Sequence, residues 1–107
     1  MEKLDVIDKL EALAQESRLD IVRLLVRHGT ESLSSGRIAA ELNMPTATLA
    51  FHLNKLVQTG LLQRQSSGRN RFYRANISAV YALAGYLIDN CCAETSDSAN
   101  ENRSDIA

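Results

Sequence analysis

The spacing of apolar residues predicts four helices before residue 60. Apolar side chains recur three and four positions apart, which places them on one face of a helix. The predicted helices span about residues 3–15, 17–28, 35–42 and 46–59. Ser17 is the expected N-cap of the second helix and Gly29 its C-cap, and Ser34 or Ser35 is expected to cap the third. The apolar stripe of the fourth helix comprises Leu49, Ala50, Leu53, Leu56 and Val57.

A hairpin and a last helix follow the fourth helix. Residues 61–65 and 71–75 are the predicted strands, and residues 66–70 supply the turn. Asn76 or Ser78 is expected to cap a fifth helix, whose apolar stripe comprises Val80, Leu83, Ala84, Leu87 and Cys91. This order of elements predicts a mainly α fold, a winged helix-turn-helix with five helices and a β-hairpin wing. We expect the domain to cover residues 1–92, and residues 93–107 to form a polar, disordered tail.

Composition narrows the class of protein. The 107 residues fit one domain, and 45% hydrophobic with 23% charged residues is typical of a globular chain. The acidic, amphipathic start argues against a secretory signal, and no apolar run is long enough to span a bilayer. We therefore expect a soluble, cytoplasmic protein with no membrane partner.

Charge is distributed unevenly along the chain. Residues 1–16 carry a net charge of −3, residues 17–76 carry +6 and residues 77–107 carry −4. A basic middle between acidic ends favours binding of a polyanion, most simply double-stranded DNA. Charge alone leaves open the alternative of a solvated, arginine-rich surface. If the partner is DNA, the fourth helix is expected to enter a major groove while the wing reaches the DNA backbone.

Five segments of the chain carry a recognisable pattern: residues 10–25, 38–42, 48–56, 60–62 and 67–74. Together, over about residues 4–92, they resemble the ArsR (ArsR/SmtB) family of bacterial metalloregulatory repressors. It implies a homodimer joined through the first and last helices, which binds a palindromic operator and is released by an inducer. An enzyme is not expected, because the chain shows no phosphate-binding glycine loop, no nucleophile with a base at recognisable spacing and no metal triad.

The fourth helix and the wing tip contain the expected DNA contacts. On the helix these are Thr46, Thr48, His52 and Lys55, and at the wing tip they are Arg69, Asn70 and Arg71. The alternative for each is an ordinary solvated surface position. The family usually has a serine where this chain has Ala50, so one hydrogen-bond donor is missing. Arg64 and Arg74 are expected to bond to polar or acidic neighbours instead of DNA.

This chain lacks the residues that form three kinds of sensing site known in the family. The third helix lacks a Cys-x-Cys pair, the fifth helix lacks a histidine, and the second helix lacks a cysteine. The adjacent pair Cys91 and Cys92 remains, and it resembles a subgroup of arsenic-responsive members. Those members have a third cysteine six residues later, where this chain has Ser98.

The cysteine pair predicts a soft, thiophilic inducer and no constitutive cofactor. Two thiolates suit trivalent arsenic or antimony, and a methylated arsenical needs no third sulfur. Adjacent residues on a helix point about 100° apart, so binding by both is expected to bend or unwind the end of the fifth helix. Two alternatives stay open at this point: a thiol redox-responsive repressor, and a constitutive regulator whose cysteines are structural.

Overall fold

Five helices and a small sheet make up the part of the chain that the computed structural model describes, residues 1–94. The helices are α1 (Lys3–Leu13), α2 (Glu16–Arg27), α3 (Ser35–Leu42), α4 (Thr46–Gln58) and α5 (Ile77–Ile88). The strands are β1 (Leu33–Ser34), β2 (Leu62–Ser67) and β3 (Asn70–Ala75). This arrangement confirms the predicted winged helix-turn-helix. The tail beyond residue 94, with Ser98, lies outside the described residues, and so does the prediction that it is disordered.

Side-chain caps begin three of the helices. Ser34 accepts a hydrogen bond from the Arg37 backbone N–H at 3.1 Å, and Asn76 accepts one from the Ala79 N–H at 3.3 Å. Both caps were among those predicted. The prediction for α2 is wrong, because Gln15 is its N-cap and accepts from the Arg18 N–H at 2.9 Å. Ser17 therefore lies one residue inside α2 instead of before it.

The sheet has the antiparallel order β1-β3-β2. Strand β1 was not predicted, since it is only two residues long and pairs Leu33 with Tyr73. The hairpin pairs every position from Leu62 with Ala75 to Ser67 with Asn70, so its loop contains only two residues. Gly68 opens that loop with a φ of +63°, which is the glycine position of a type II′ turn. The predicted five-residue turn was too long.

The hydrophobic core joins α2, α3, α4 and the base of the wing. Its largest fully buried side chains are Ile21, Leu25, Leu33, Ile38, Leu49, Leu53, Leu56 and Leu61. Three of these belong to α4, whose inward face is therefore held on the rest of the domain. Ala50 is exposed, contrary to its predicted place in the apolar stripe.

Helices α1 and α5 leave apolar side chains on the surface. Leu4 is 75% exposed on α1, and Tyr81, Leu87 and Ile88 are between 60% and 75% exposed on α5. Leu83 is the one residue of α5 that is buried. These are the two helices that the resemblance assigns to the dimer contact. Within residues 1–94, no helix combines the length and hydropathy needed to cross a membrane.

Candidate DNA interface and cysteine pair

A short turn sets α4 against α3. Asn43 ends α3 in the left-handed conformation with a φ of 50°, and the Met44 N–H donates to the Ala39 carbonyl at 3.0 Å. Asparagine adopts this conformation more readily than most residues, so the sequence suits the turn. Pro45 then precedes the first residue of α4. Because α3 and α4 pack on the common core, the outer face of α4 has a fixed direction relative to the wing.

Three of the four predicted contact residues of α4 are exposed. Thr46 and Thr48 lie in its first turn, and Lys55 lies near its C-terminal end. Lys55 lines a surface hollow together with Asp5, Asp8 and other polar residues. All three side chains are therefore accessible to a partner.

His52 is placed differently from the expectation. Its side chain faces the interior and is only 7% exposed, so it does not present a base-reading group on the surface of α4. Among residues 1–94, its Nδ1 has no hydrogen-bond partner. Burial, together with the positive charge of Arg18, lowers the pKa of His52 below its ordinary value. The neutral ring is therefore favoured in the folded protein.

The sequence reading missed Phe51. This phenylalanine is 66% exposed on α4, and its ring meets the edge of the His52 ring at a centroid distance of 5.6 Å. The signal was present in the spacing, because Phe51 follows Ala47 by four positions and precedes Asn54 by three. All three residues are exposed. They form one outer face of α4.

The wing carries its cations in two different environments. Arg69, Asn70 and Arg71 are exposed at the tip, where they were predicted. The Arg74 Nε donates to Gln63 Oε1 across the hairpin at 2.9 Å, as expected of a cross-strand pair. Arg64 also bonds to a polar neighbour, although that neighbour is on α4: its Nη1 donates to Asn54 Oδ1 at 2.7 Å. This bond ties the base of the wing to α4.

Cys91 and Cys92 lie just beyond α5, not on it. The helix ends at Ile88, and Asn90 and Cys92 adopt φ values of 61° and 67°. This backbone brings the Cys91 Sγ and the Cys92 Sγ within 3.0 Å of each other. The expectation that the helix must bend to bring the sulfurs together is therefore wrong, because the helix has already ended.

The surroundings of the pair are polar and open. Cys91 is exposed, Cys92 is half-buried, and neither forms a disulfide. Cys92 lines a surface hollow with Asn90, Ala93 and Glu94. Within residues 1–94, no group of three or more histidine, cysteine or carboxylate side chains is arranged to hold a metal ion. The described part of the chain therefore offers two thiols at this place.

Comparison with known proteins agrees with this architecture. A family described as a helix-turn-helix domain matches residues 13–65. The chain contains a helix-turn-helix domain. The hairpin that follows α4 makes this domain a winged one. No curated protein matches the chain.

Solved structures of bacterial regulators share the fold over most of this winged helix-turn-helix. HlyU from Vibrio cholerae is 29% identical, with a TM-score of 0.67 over 86% of this chain and 99% of that one. An ArsR-like transcriptional regulator from Rhodococcus is 27% identical, with a TM-score of 0.70 over 97% and 93%. The homodimeric winged helix-turn-helix domain of a possible ArsR-family regulator from Mycobacterium bovis is 26% identical, with a TM-score of 0.63 over 80% of each chain.

These findings support a DNA-binding regulator with a winged helix-turn-helix fold, similar to regulators of the ArsR family. They indicate a protein without enzymatic activity, as predicted. Dimerisation is supported by the homodimeric neighbour and by the exposed apolar residues of α1 and α5.

Proposed function

We propose that the protein is a dimeric transcriptional repressor that leaves its operator when a trivalent arsenical binds Cys91 and Cys92. The observation that carries this proposal is the 3.0 Å separation of the two sulfurs at an exposed place directly after α5. The inducer in this proposal is As(III), Sb(III) or methylarsenite. The protein holds no constitutive cofactor in this proposal.

The sulfur separation suits a single soft centre. Thiolate–metal bonds of about 2.3 Å, as found for zinc, reach one atom from both sulfurs without a change in the backbone. At this separation the two bonds meet at roughly 80°, which suits a pyramidal trivalent centre better than a tetrahedral ion. Methylarsenite fills its third position with carbon, while As(III) and Sb(III) would take water or a cellular thiol. Methylarsenite is therefore the favoured inducer.

The operator contacts follow from the exposed polar surface. Thr46 and Thr48 begin α4, which enters the major groove, and Arg69, Asn70 and Arg71 at the wing tip contact phosphate or the minor groove. Lys55 is a further phosphate contact near the C-terminal end of α4. His52 lies on the buried side of α4 and is therefore not among the operator contacts.

Release follows from the position of the pair. A centre bonded to both sulfurs closes a ring that includes the backbone between Cys91 and Cys92, and this ring constrains the chain next to Ile88. Leu87 and Ile88 are exposed apolar residues of the last turn of α5, where the partner subunit is expected to pack. A shift at that contact changes the separation of the two α4 helices, which must match successive major grooves.

The test is DNA binding under reducing conditions. A fluorescent duplex selected by the protein from a randomised pool is followed by anisotropy while methylarsenite, As(III) and Sb(III) are added separately. We expect release, with methylarsenite effective at the lowest concentration. Cys91→Ser and Cys92→Ser should bind the duplex normally and fail to respond, and Ser66→Ala on the wing is the matched control that should respond. A response in the double cysteine variant would refute the site.

A redox switch is the second candidate, favoured by the same sulfur separation. Two thiols this close are suited to oxidation within one subunit, and HlyU from Vibrio cholerae has been solved in a form described as reduced, 27% identical to this chain. Release by diamide without any release by arsenicals would favour this candidate. The third possibility, structural cysteines, is disfavoured because neither cysteine is buried.

A further inference from the structure

The outer face of α4 is mostly apolar at its centre. Ala47, Ala50, Phe51 and Asn54 follow one another at helical spacing, and all four are exposed. Phe51 is the largest of them, with two thirds of its surface open to solvent. The opposite face carries Leu49, Leu53 and Leu56, which fill the core, and Phe51 is not part of that core.

Charge around this face is suited to DNA. The Arg64 side chain is held beside Asn54, at the C-terminal end of the face, and the first-turn threonines lie at the other end. An apolar surface between polar and cationic groups matches a major groove, in which phosphates lie on either side of the base edges. The apolar surfaces assigned to the dimer belong to α1 and α5.

One group in the major groove is both apolar and specific to a base. The thymine C5-methyl is recognised by alanine and phenylalanine side chains through direct contact. A face made of Ala47, Ala50 and Phe51 has little to offer guanine or cytosine, whose edges require hydrogen-bond partners. This face therefore suits a run of A·T pairs with thymine methyls turned toward α4.

We propose that Phe51 is a specificity-determining residue, which contacts thymine methyl groups near the centre of each half-site with Ala47 and Ala50 around it. This inference rests on the proposed function, because it requires α4 to lie in a major groove. It also explains how the helix reads sequence at Ala50, where a side-chain donor is absent.

The test removes one methyl group at a time from the DNA. A duplex is selected from a randomised pool by the wild-type protein, and each thymine is replaced singly by deoxyuridine, which lacks only the C5-methyl. We expect at least one replacement in each half-site to weaken wild-type binding about fourfold, the effect of losing one buried methyl. For Phe51→Ala, the same replacement should change affinity less than twofold. Phe51→Leu keeps an apolar side chain and should remain sensitive.

Each outcome has one meaning. Equal losses in the wild-type protein and in Phe51→Ala, or no loss in either at any thymine, would overturn the role of Phe51 while leaving DNA binding intact. Failure of the wild-type protein to enrich any duplex would overturn the proposed function and this inference together. Far-ultraviolet circular dichroism verifies the fold of each variant, which we expect to be unchanged because Phe51 is exposed.

Discussion

Helices α4 and α5 differ in how much of each is completed within one chain. Three leucines of α4 are almost fully buried, and its opposite face is exposed and is the one proposed to contact DNA. Helix α5 buries only Leu83 and leaves Tyr81, Leu87 and Ile88 on the surface. The core of one chain therefore fixes α4, whereas α5 leaves most of its apolar side chains exposed, and in the proposed dimer these pack on a second copy.

The largest effect should follow a cavity under α4. Leu53→Ala removes a side chain that is 1% exposed, and we expect a loss of about 2–5 kcal/mol in the free energy of unfolding. This loss should be independent of protein concentration. Leu87→Ala on α5 should instead cost an amount that varies with concentration, because the contact it removes lies between subunits. Urea unfolding at two concentrations distinguishes them, and equal behaviour of the two variants would contradict the comparison.

A charge on α5 should separate the subunits without unfolding them. Leu87→Glu places a carboxylate where an apolar partner surface is expected, and we expect the dimer dissociation constant to rise on the order of 100-fold. Sedimentation velocity measures the change. Gln65→Glu adds the same charge on the wing and should leave the dimer intact. A monomeric wild-type protein at micromolar concentration would contradict this prediction.

The junction between the two helices should have an intermediate effect. Asn76 caps α5 through its side-chain oxygen, and its Nδ2 donates to the Gly60 carbonyl at 3.0 Å. Asn76→Ala removes both bonds and should cost about 1–2 kcal/mol. Asn76→Asp retains the cap and loses the donor, so its stability in thermal unfolding should lie between those of the wild type and Asn76→Ala. An alanine variant as stable as the wild type would show that the junction contributes nothing.

The smallest effect should be the response of α4 to pH. The pKa of His52 is lowered in the folded state by burial and by Arg18, so below its ordinary value of about 6.5 the unfolded chain binds a proton more readily. Stability should therefore be unaffected above that pH and fall as the pH drops through the window below it. His52→Gln should reduce this fall. Thermal unfolding at pH 5 and pH 7.5 measures the difference, and an identical dependence in both proteins would contradict it.

Periodicity predicted α4 well because its core contacts recur at helical spacing. Leu49, Leu53 and Leu56 were assigned to the buried face and lie there. The assignment of Ala50 to the buried stripe was wrong, because Ala50 is one position from Leu49 and so points about 100° away from it. The expectation that His52 is exposed was wrong for the opposite reason. It lies three positions after Leu49 and four before Leu56, so the same spacing places it on the buried face.

The cysteine site could be predicted only as a pair of residue types. Apolar spacing continues through Leu87 to Cys91, and this pattern predicted a helix longer than the observed one. The helix ends because Asp89 leaves the helical region with a ψ of 136°, and Asn90 then takes a left-handed conformation, which asparagine allows without requiring it. Strand β1 was missed because two residues are too few to show an alternating pattern. In each case a single backbone conformation or pairing, invisible to periodicity, decided the outcome.

Gly60 lies two residues after the end of α4 and has a φ of +85°. Its carbonyl accepts from Asn76, the N-cap of α5, and a Cβ built on it would lie 3.6 Å from the Lys9 Nζ of α1. The segment after the reading helix is therefore bonded to the cap of one helix assigned to the dimer and lies near the other. Linkage between sites is reciprocal in equilibrium binding. An arsenical that weakens DNA binding by a given factor is itself held more weakly, by that same factor, when the protein is on DNA.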